Sequence, residues 1–276
     1  MRVAIIGMGA IGHVIQRALA GRVEVVPIDR TKAPLQSDEG PVDAAVVCVK
    51  TLGTMWAAEV AQHIVAPDGV VLTIQNGLGN YEILAAAVGE ARVAVGVIYV
   101  GARLEEGDRL WATGPGKVEL GLPSGAGPKR ALDALAARLT EGGMTVGVVK
   151  DAWASVWRKV AVNAAMNPIT ALLGYTNTEL LADRAASRVA DGLATEVARV
   201  ASATGVGLSE DDARRAWRDI ATLTGANRSS MLQDVQAGRP TEIDAINGAV
   251  HREGERRGIA APLNQAMTVL VGARAP

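Results

Sequence analysis

The 276-residue chain has no phenylalanine, three tyrosines and five tryptophans, so its core must be built from alanine, valine, leucine and isoleucine. Its single cysteine, Cys48, excludes an internal disulfide framework and fits a reducing cytoplasm. Cys48 sits in the run Ala44-Ala45-Val46-Val47-Cys48-Val49, where a small strand residue is expected rather than a nucleophile. The three histidines, His13, His63 and His251, show no metal-ligand spacing, so no metal is expected. An excess of charge of either sign is lacking too. Against 29 Asp and Glu stand 28 Lys and Arg, a net charge of −1, which gives no electrostatic case for nucleic acid or an anionic membrane. No apolar run approaches the ~20 residues needed to span a bilayer, and a strand starts at the N-terminus, leaving no room for a signal peptide. What is present, 49% hydrophobic and 21% charged residues, suffices for a substantial core. The expectation is a soluble cytoplasmic protein.

The first half alternates short β-branched runs with helical stretches, the pattern of a parallel sheet covered by helices. Strands are expected at Val3 to Ile6, Val23 to Ile28, Ala44 to Val49, Val70 to Ile74 and Arg92 to Val100. Helices are expected at Ile11 to Ala20 and Met55 to Ile64. Glycine and proline cluster between Gly114 and Pro128, bracketing strand-like pieces at Leu110 to Thr113 and Val118 to Leu122, which predicts an antiparallel hairpin appended to the sheet edge. A helix from Lys129 to Glu141 and a strand from Thr145 to Val149 follow. Beyond Ala152 the β-branched runs vanish, and helices are expected at Trp153 to Met166, Leu180 to Thr204, Ser209 to Leu223, Thr241 to Arg257 and Pro262 to Val271. The boundary falls near Lys150: an α/β domain over residues 1–150 and an all-α domain over 151–276. So short a join predicts closely packed domains with a ligand cleft between them.

Gly7-Met8-Gly9-Ala10-Ile11-Gly12 follows the first strand and opens a helix. Such glycines allow a tight turn, close backbone approach to a pyrophosphate and close helix–strand packing, while the helix N-terminus offers free N–H groups. Dinucleotide binding is the expectation; a plain glycine turn is the alternative. After the second strand come two side chains with opposite messages. Asp29 stands where a carboxylate accepts hydrogen bonds from the ribose of NAD, and Arg30 where a guanidinium pairs with the extra phosphate of NADP. The residues leave that choice open. Lys50 ends the next strand at the carboxyl edge of the sheet and could contact cofactor or substrate, or simply water. Asn76, in Gln75-Asn76-Gly77-Leu78-Gly79, lies on a loop at the same edge, where the alternative to binding is turn chemistry.

The most informative segment is Trp157 to Thr170. Lys159, Asn163 and Asn167 recur every four residues among valines, alanines and a methionine, which puts one ammonium and two amides on one helix face. Solvated faces favour Glu, Arg and Gln over asparagine, a poor helix former, and burying such groups without partners is costly. The stripe therefore predicts a binding surface, with Lys159 its only proton carrier. Near the C-terminus, Pro240 and Thr241 mark a helix start that puts Glu242 in the first turn. Helix polarity alone favours a carboxylate there, and Ser230 could be a plain cap.

These motifs together resemble the ketopantoate reductase (2-dehydropantoate 2-reductase) family over the whole chain: the glycine turn, Val49-Lys50, Gln75 to Gly79, Trp157-Arg158-Lys159 with Asn163 and Asn167-Pro168, Ser229 to Asp234, and Thr241 to Asp244. The resemblance implies a Rossmann-type dinucleotide-binding domain followed by an all-α domain. It implies that Lys159 is the general acid for ketone reduction and that Glu242 hydrogen-bonds the substrate oxygens. Asn76, Asn163, Asn167 and Ser230 would hold the carboxylate and hydroxyl groups, and Lys50 would lie at the nicotinamide end. NADPH is favoured, with Arg30 as the phosphate reader, and NAD stays open. The chain departs from the family in carrying Asp29 before that arginine and in a shorter segment between Arg30 and Lys50. The implied partner is a small 2-oxo acid, with a homodimer left open. The rival expectations are a reductase of another branched 2-oxo acid and a dinucleotide sensor without turnover.

Overall fold

A computed structural model describes residues 1–30, 40–105, 109–113 and 116–274. The segment after Arg30, noted above as short, falls largely on residues 31–39, outside the described residues. Contacts divide the chain into two units, one of Met1–Gln75 with Gly79–Ser155 and one of Asn76–Leu78 with Val156–Pro276.

The first unit begins β1 (Arg2–Ile6), α1 (Ala10–Leu19), β2 (Glu24–Ile28), β3 (Val42–Val47), α2 (Thr54–Ile64), β4 (Val65–Thr73), α3 (Asn80–Val88) and β5 (Val93–Tyr99). It continues with β6 (Ala102–Glu105), β7 (Arg109–Ala112), β8 (Lys117–Gly121), α4 (Lys129–Glu141) and β9 (Thr145–Val148). Seven strands form one sheet in the order β2-β1-β3-β4-β5-β8-β9. All neighbours are parallel except β5 and β8. Alternate residues of β1 feed opposite layers. Val3 and Ile5 pack with α1 and α4, whereas Ala4 and Ile6 pack with α2 and α3. Because β1 lies between β2 and β3, the turns after the first four parallel strands share one carboxyl edge, with the topological switch at β1.

The expected hairpin is corrected. Leu110 to Thr113 does not pair with Val118 to Leu122; β7 pairs with β6 in a separate two-stranded sheet, and β8 joins the main sheet between β5 and β9. Val118 and Leu120 are fully buried there, a larger apolar gain than a local hairpin offers. The sequence reading also passed over β6 and α3. No helix among the described residues is long and apolar enough to cross a membrane.

The second unit is helical: α5 (Ala152–Leu173, whose first turn is counted with the first unit), α6 (Asn177–Ala182), α7 (Arg184–Ala203), α8 (Glu210–Thr224), α9 (Ser230–Gln236), a π-helical turn at Asp244–Gly248, α10 (Ala249–Arg257) and α11 (Pro262–Gly272). The single helix expected from Leu180 to Thr204 is two. The Asp183 carboxylate accepts the N–H groups of Ala185 and Ala186 and so caps α7 afresh. Helix α5 runs past its expected end at Met166 and straight through Pro168.

Candidate active site

In the first unit the glycine turn has the shape its spacing predicts. Gly7 has φ +105°, and a Cβ there would come within 2.6 Å of Val49 Cγ1. A Cβ on Gly12 would run into the Gly7 carbonyl oxygen, whereas one on Gly9 meets nothing within 4 Å. Two glycines thus close the packing and the third leaves open space at the helix start. The first α1 bond of this turn runs from His13 N–H to Gly9 O, 3.0 Å, so the N–H groups of Ala10, Ile11 and Gly12 stand ahead of the helical ladder. Open space beside unladdered N–H groups fits a pyrophosphate. Met8 is partly buried against the core and frames the turn.

Register sets what lies beside it. Ile6 pairs with Ile28 and Gly7 N–H donates to Ile28 O, so Asp29 and Arg30 emerge one strand spacing, about 4.8 Å, from the turn. Arg30 is exposed, its guanidinium over the Trp56 ring, 5.4 Å from the centroid. Asp29 is half-buried. Lys50 is exposed past β3, held by a network the sequence reading missed. Gln75 Nε2 donates to Val49 O (2.9 Å) and to Thr54 Oγ1 (2.8 Å), and the buried Thr54 hydroxyl donates to Asn80 Oδ1. This ties the turn carrying Lys50 to the end of β4. Cys48 is partly buried against the core, and burial pushes its thiol far above the usual range, which removes it as a nucleophile.

In the second unit, α5 carries Lys159 and Asn163 half-buried and Asn167 buried. Around them Val160, Ala161, Ala164, Ala165 and Met166 are all 4% exposed or less. Neither asparagine amide is hydrogen-bonded among the described residues. Burial lowers the Lys159 pKa from 10.5 to about 8, against the opposing pull of the Glu242 carboxylate. The balance of those two effects, which the sequence left undecided, falls on the side of burial.

Glu242 lies ahead of the π-helical turn rather than in a first helical turn, a correction to the sequence reading. Its carbonyl accepts the N–H groups of Ala245 (3.1 Å) and Ile246 (3.0 Å), so it starts the turn with its backbone and leaves its side chain for other work. Asn76 Nδ2 donates to Glu242 Oε2 at 3.0 Å. This pair exists because the Asn76–Leu78 segment packs with the helical unit. Leu78 N–H donates to Ala245 O at 2.8 Å, and Gly77, at φ +81°, has Ala245 where a Cβ would stand.

Ser230 is the exposed first residue of α9. The cap is Ser229, whose hydroxyl accepts Leu232 N–H and contacts Thr170 Oγ1 at 2.7 Å, fastening α9 to α5. Sequence reasoning also missed Asn247, Asn264 and Glu196, all buried. The only available signal was three polar residues at apolar helical positions. Among the described residues no three His, Cys, Asp or Glu side chains form a metal-binding group.

These features define an α/β protein with a Rossmann-type first unit and a helical second unit that carries a lysine, amides and a carboxylate. The ketopantoate reductase PanE/ApbA model matches residues 31–125, and the model of that family's C-terminal region matches residues 151–275. The 2-dehydropantoate 2-reductase of Halobacterium salinarum is 34% identical over 299 residues, covering 98% of each chain. That of Pyrobaculum aerophilum is 36% identical over 288 residues, covering 98% of this chain and 96% of its own. Among solved structures, D-mandelate dehydrogenase with NADH and anilino(oxo)acetate matches with a TM-score of 0.89 at 25% identity, covering 99% of this chain and 98% of its own. The chain belongs to the ketopantoate reductase family.

Proposed function

We infer that the protein reduces 2-dehydropantoate to pantoate with a nicotinamide dinucleotide, a step of pantothenate and coenzyme A synthesis. The observation that carries this reading is Lys159, with a pKa of about 8, in line along one helix with Asn163 and Asn167. A bound reduced nicotinamide supplies the hydride. The Gly7–Gly12 turn would hold its pyrophosphate, Asp29 and Arg30 its adenosine ribose, and Lys50 and Asn76 its nicotinamide end.

Lys159 donates the proton to the ketone oxygen and stabilises negative charge as it forms there. Asn163, Asn167 and Ser230 bind the carboxylate and hydroxyl groups; amides suit them because they donate and accept without adding charge. Glu242, oriented by Asn76, holds the substrate oxygens beside Lys159. The preferred cofactor in this reading is NADPH. Purified protein should oxidise NADPH or NADH when given 2-dehydropantoate. Cofactor binding without turnover on any of a panel of 2-oxo acids would leave a dinucleotide sensor instead. The similarity to a D-mandelate dehydrogenase bound to NADH, together with Asp29, favours a second reading: an NADH-dependent reductase of another 2-oxo acid, which the same panel would reveal.

The charge around Lys159 predicts a pH dependence. Only the ammonium form can donate, so kcat/KM for reduction should fall as pH rises through about 8. The Glu242 carboxylate raises the lysine's pKa, so Glu242→Gln should move that limb to lower pH. An unmoved limb, or one shifted to higher pH, would separate Glu242 from the proton-donating group.

A further inference from the structure

Helix α5 has an internal fault. Pro168 stands inside it, and proline has no N–H to give the carbonyl four residues back. That carbonyl belongs to Ala164, between Asn163 and Asn167, in a stretch where Ala164 and Ala165 are wholly buried. A buried carbonyl left without a donor is costly. Here it is not left so: Asn247 Nδ2 donates to Ala164 O at 3.1 Å. The same nitrogen donates to Asn264 Oδ1 at 2.9 Å. Asn264 in turn donates through Nδ2 to Glu196 Oε2 at 2.8 Å. The Glu196 carboxylate also accepts the N–H groups of Leu263 and Asn264, which fixes it to the start of α11. Asn247 Oδ1, by contrast, is buried with no hydrogen-bond partner. Both donors of this amide are used and its acceptor is idle, so the residue serves here as a donor.

We propose that Asn247 is a positioning residue: its amide replaces the backbone hydrogen bond that Pro168 removes and so sets the pitch of α5 between Asn163 and Asn167. This deepens the proposed function and rests on its reading that those two amides hold the substrate. Without the replacement, the Ala164 carbonyl would tilt toward another donor, and the two asparagines, one turn apart, would lose their common direction. A side chain on the turn that follows Glu242 thereby governs a helix that carries the substrate-facing amides. The anchor at Glu196 and α11 gives Asn247 a fixed place from which to donate.

The test is a double-mutant cycle on the full-length protein, read as KM for 2-dehydropantoate, kcat, dinucleotide Kd and Tm. Asn247→Leu removes the donors at similar volume. It should raise KM roughly 10-fold, the scale of one lost hydrogen bond, with dinucleotide Kd unchanged. Pro168→Ala alone should leave KM near that of the parent. Added to Asn247→Leu, it returns a backbone N–H to Ala164 O, and KM should come back to within about 2-fold of the parent. Tm should not recover fully, because Asn264 still lacks its donor; recovery of KM ahead of Tm marks positioning rather than general packing. KM that stays high in the double variant overturns the proposal, as does an Asn247→Leu protein with ordinary KM. Should Asn247→Leu fail to fold, Asn247→Ser, which leaves room for water at Asn264, takes its place in the cycle, and the same two results support or overturn the proposal. Asn163→Ala and Asn167→Ala test the underlying reading separately. If neither changes KM, the stripe does not hold substrate, whatever the cycle returns.

Discussion

Replacing Lys159 by alanine is expected to lower kcat by about 100-fold or more, the usual scale for a positioned general acid. Dinucleotide affinity should stay close to that of the parent, because the glycine turn, Asp29 and Arg30 belong to the other unit. The fold should tolerate the change. Alanine is the best helix former, and α5 is already lined with alanines on its buried sides. The size of the effect follows from chemistry rather than contact. A ketone accepting hydride builds negative charge on oxygen, and along the Lys159–Asn167 face no other side chain can both meet that charge and release a proton. A folded variant with near-normal kcat would remove the lysine from the mechanism and shift the proton source to water or substrate.

The second large effect concerns the dinucleotide. If NADPH is the cofactor, Arg30→Ala should weaken it roughly 10- to 150-fold, the loss of one charge-assisted contact, while NADH affinity hardly moves. The geometry favours this outcome. The guanidinium lies over the Trp56 ring, and a cation held by a ring face keeps its in-plane N–H groups for a phosphate. Asp29 stands beside it at the same strand end and would repel that phosphate if turned inward. Asp29→Ala should therefore leave NADPH unchanged or slightly tighter. The opposite pattern, in which Asp29→Ala cripples NADH use and Arg30→Ala is silent, makes this an NADH enzyme.

Much of this was legible in the chain because period and punctuation agreed. The helix over Lys129–Glu141 and the first two strands emerge from alternation, stripe and flanking glycines without tertiary help. The rest depended on partners far along the chain. Helix α5 was expected to stop before Pro168, as isolated helices do, and continues because Asn247, 79 positions after it, supplies the missing donor. Helix α3 was hidden by Gly79, whose φ of +90° reads as a turn, and by burial at only Asn80, Leu84 and Val88. Of the proposed site residues, Lys159, Asn163 and Asn167 were visible as a stripe because one helix carries all three. Asn76 and Glu242 could be read singly. Their 3.0 Å pairing across 166 positions could not, since no local pattern encodes it.

The lowered pKa of Lys159 has a side unrelated to catalysis. The folded chain holds this proton with a pKa of about 8, the unfolded chain with one near 10.5. Between those values the unfolded chain binds more protons, so this group makes folding more favourable as pH rises across that window. At neutral pH the fold therefore carries a penalty for keeping the ammonium inside. One pKa unit is about 1.4 kcal/mol, which makes the penalty of the order of a few kcal/mol, against the ~5–15 kcal/mol that holds a whole domain together. An apolar side chain of similar length, as in Lys159→Met, would fit the enclosed helix better and raise the melting temperature. Selection for robustness alone would discard this lysine. Its presence records a demand that stability does not make.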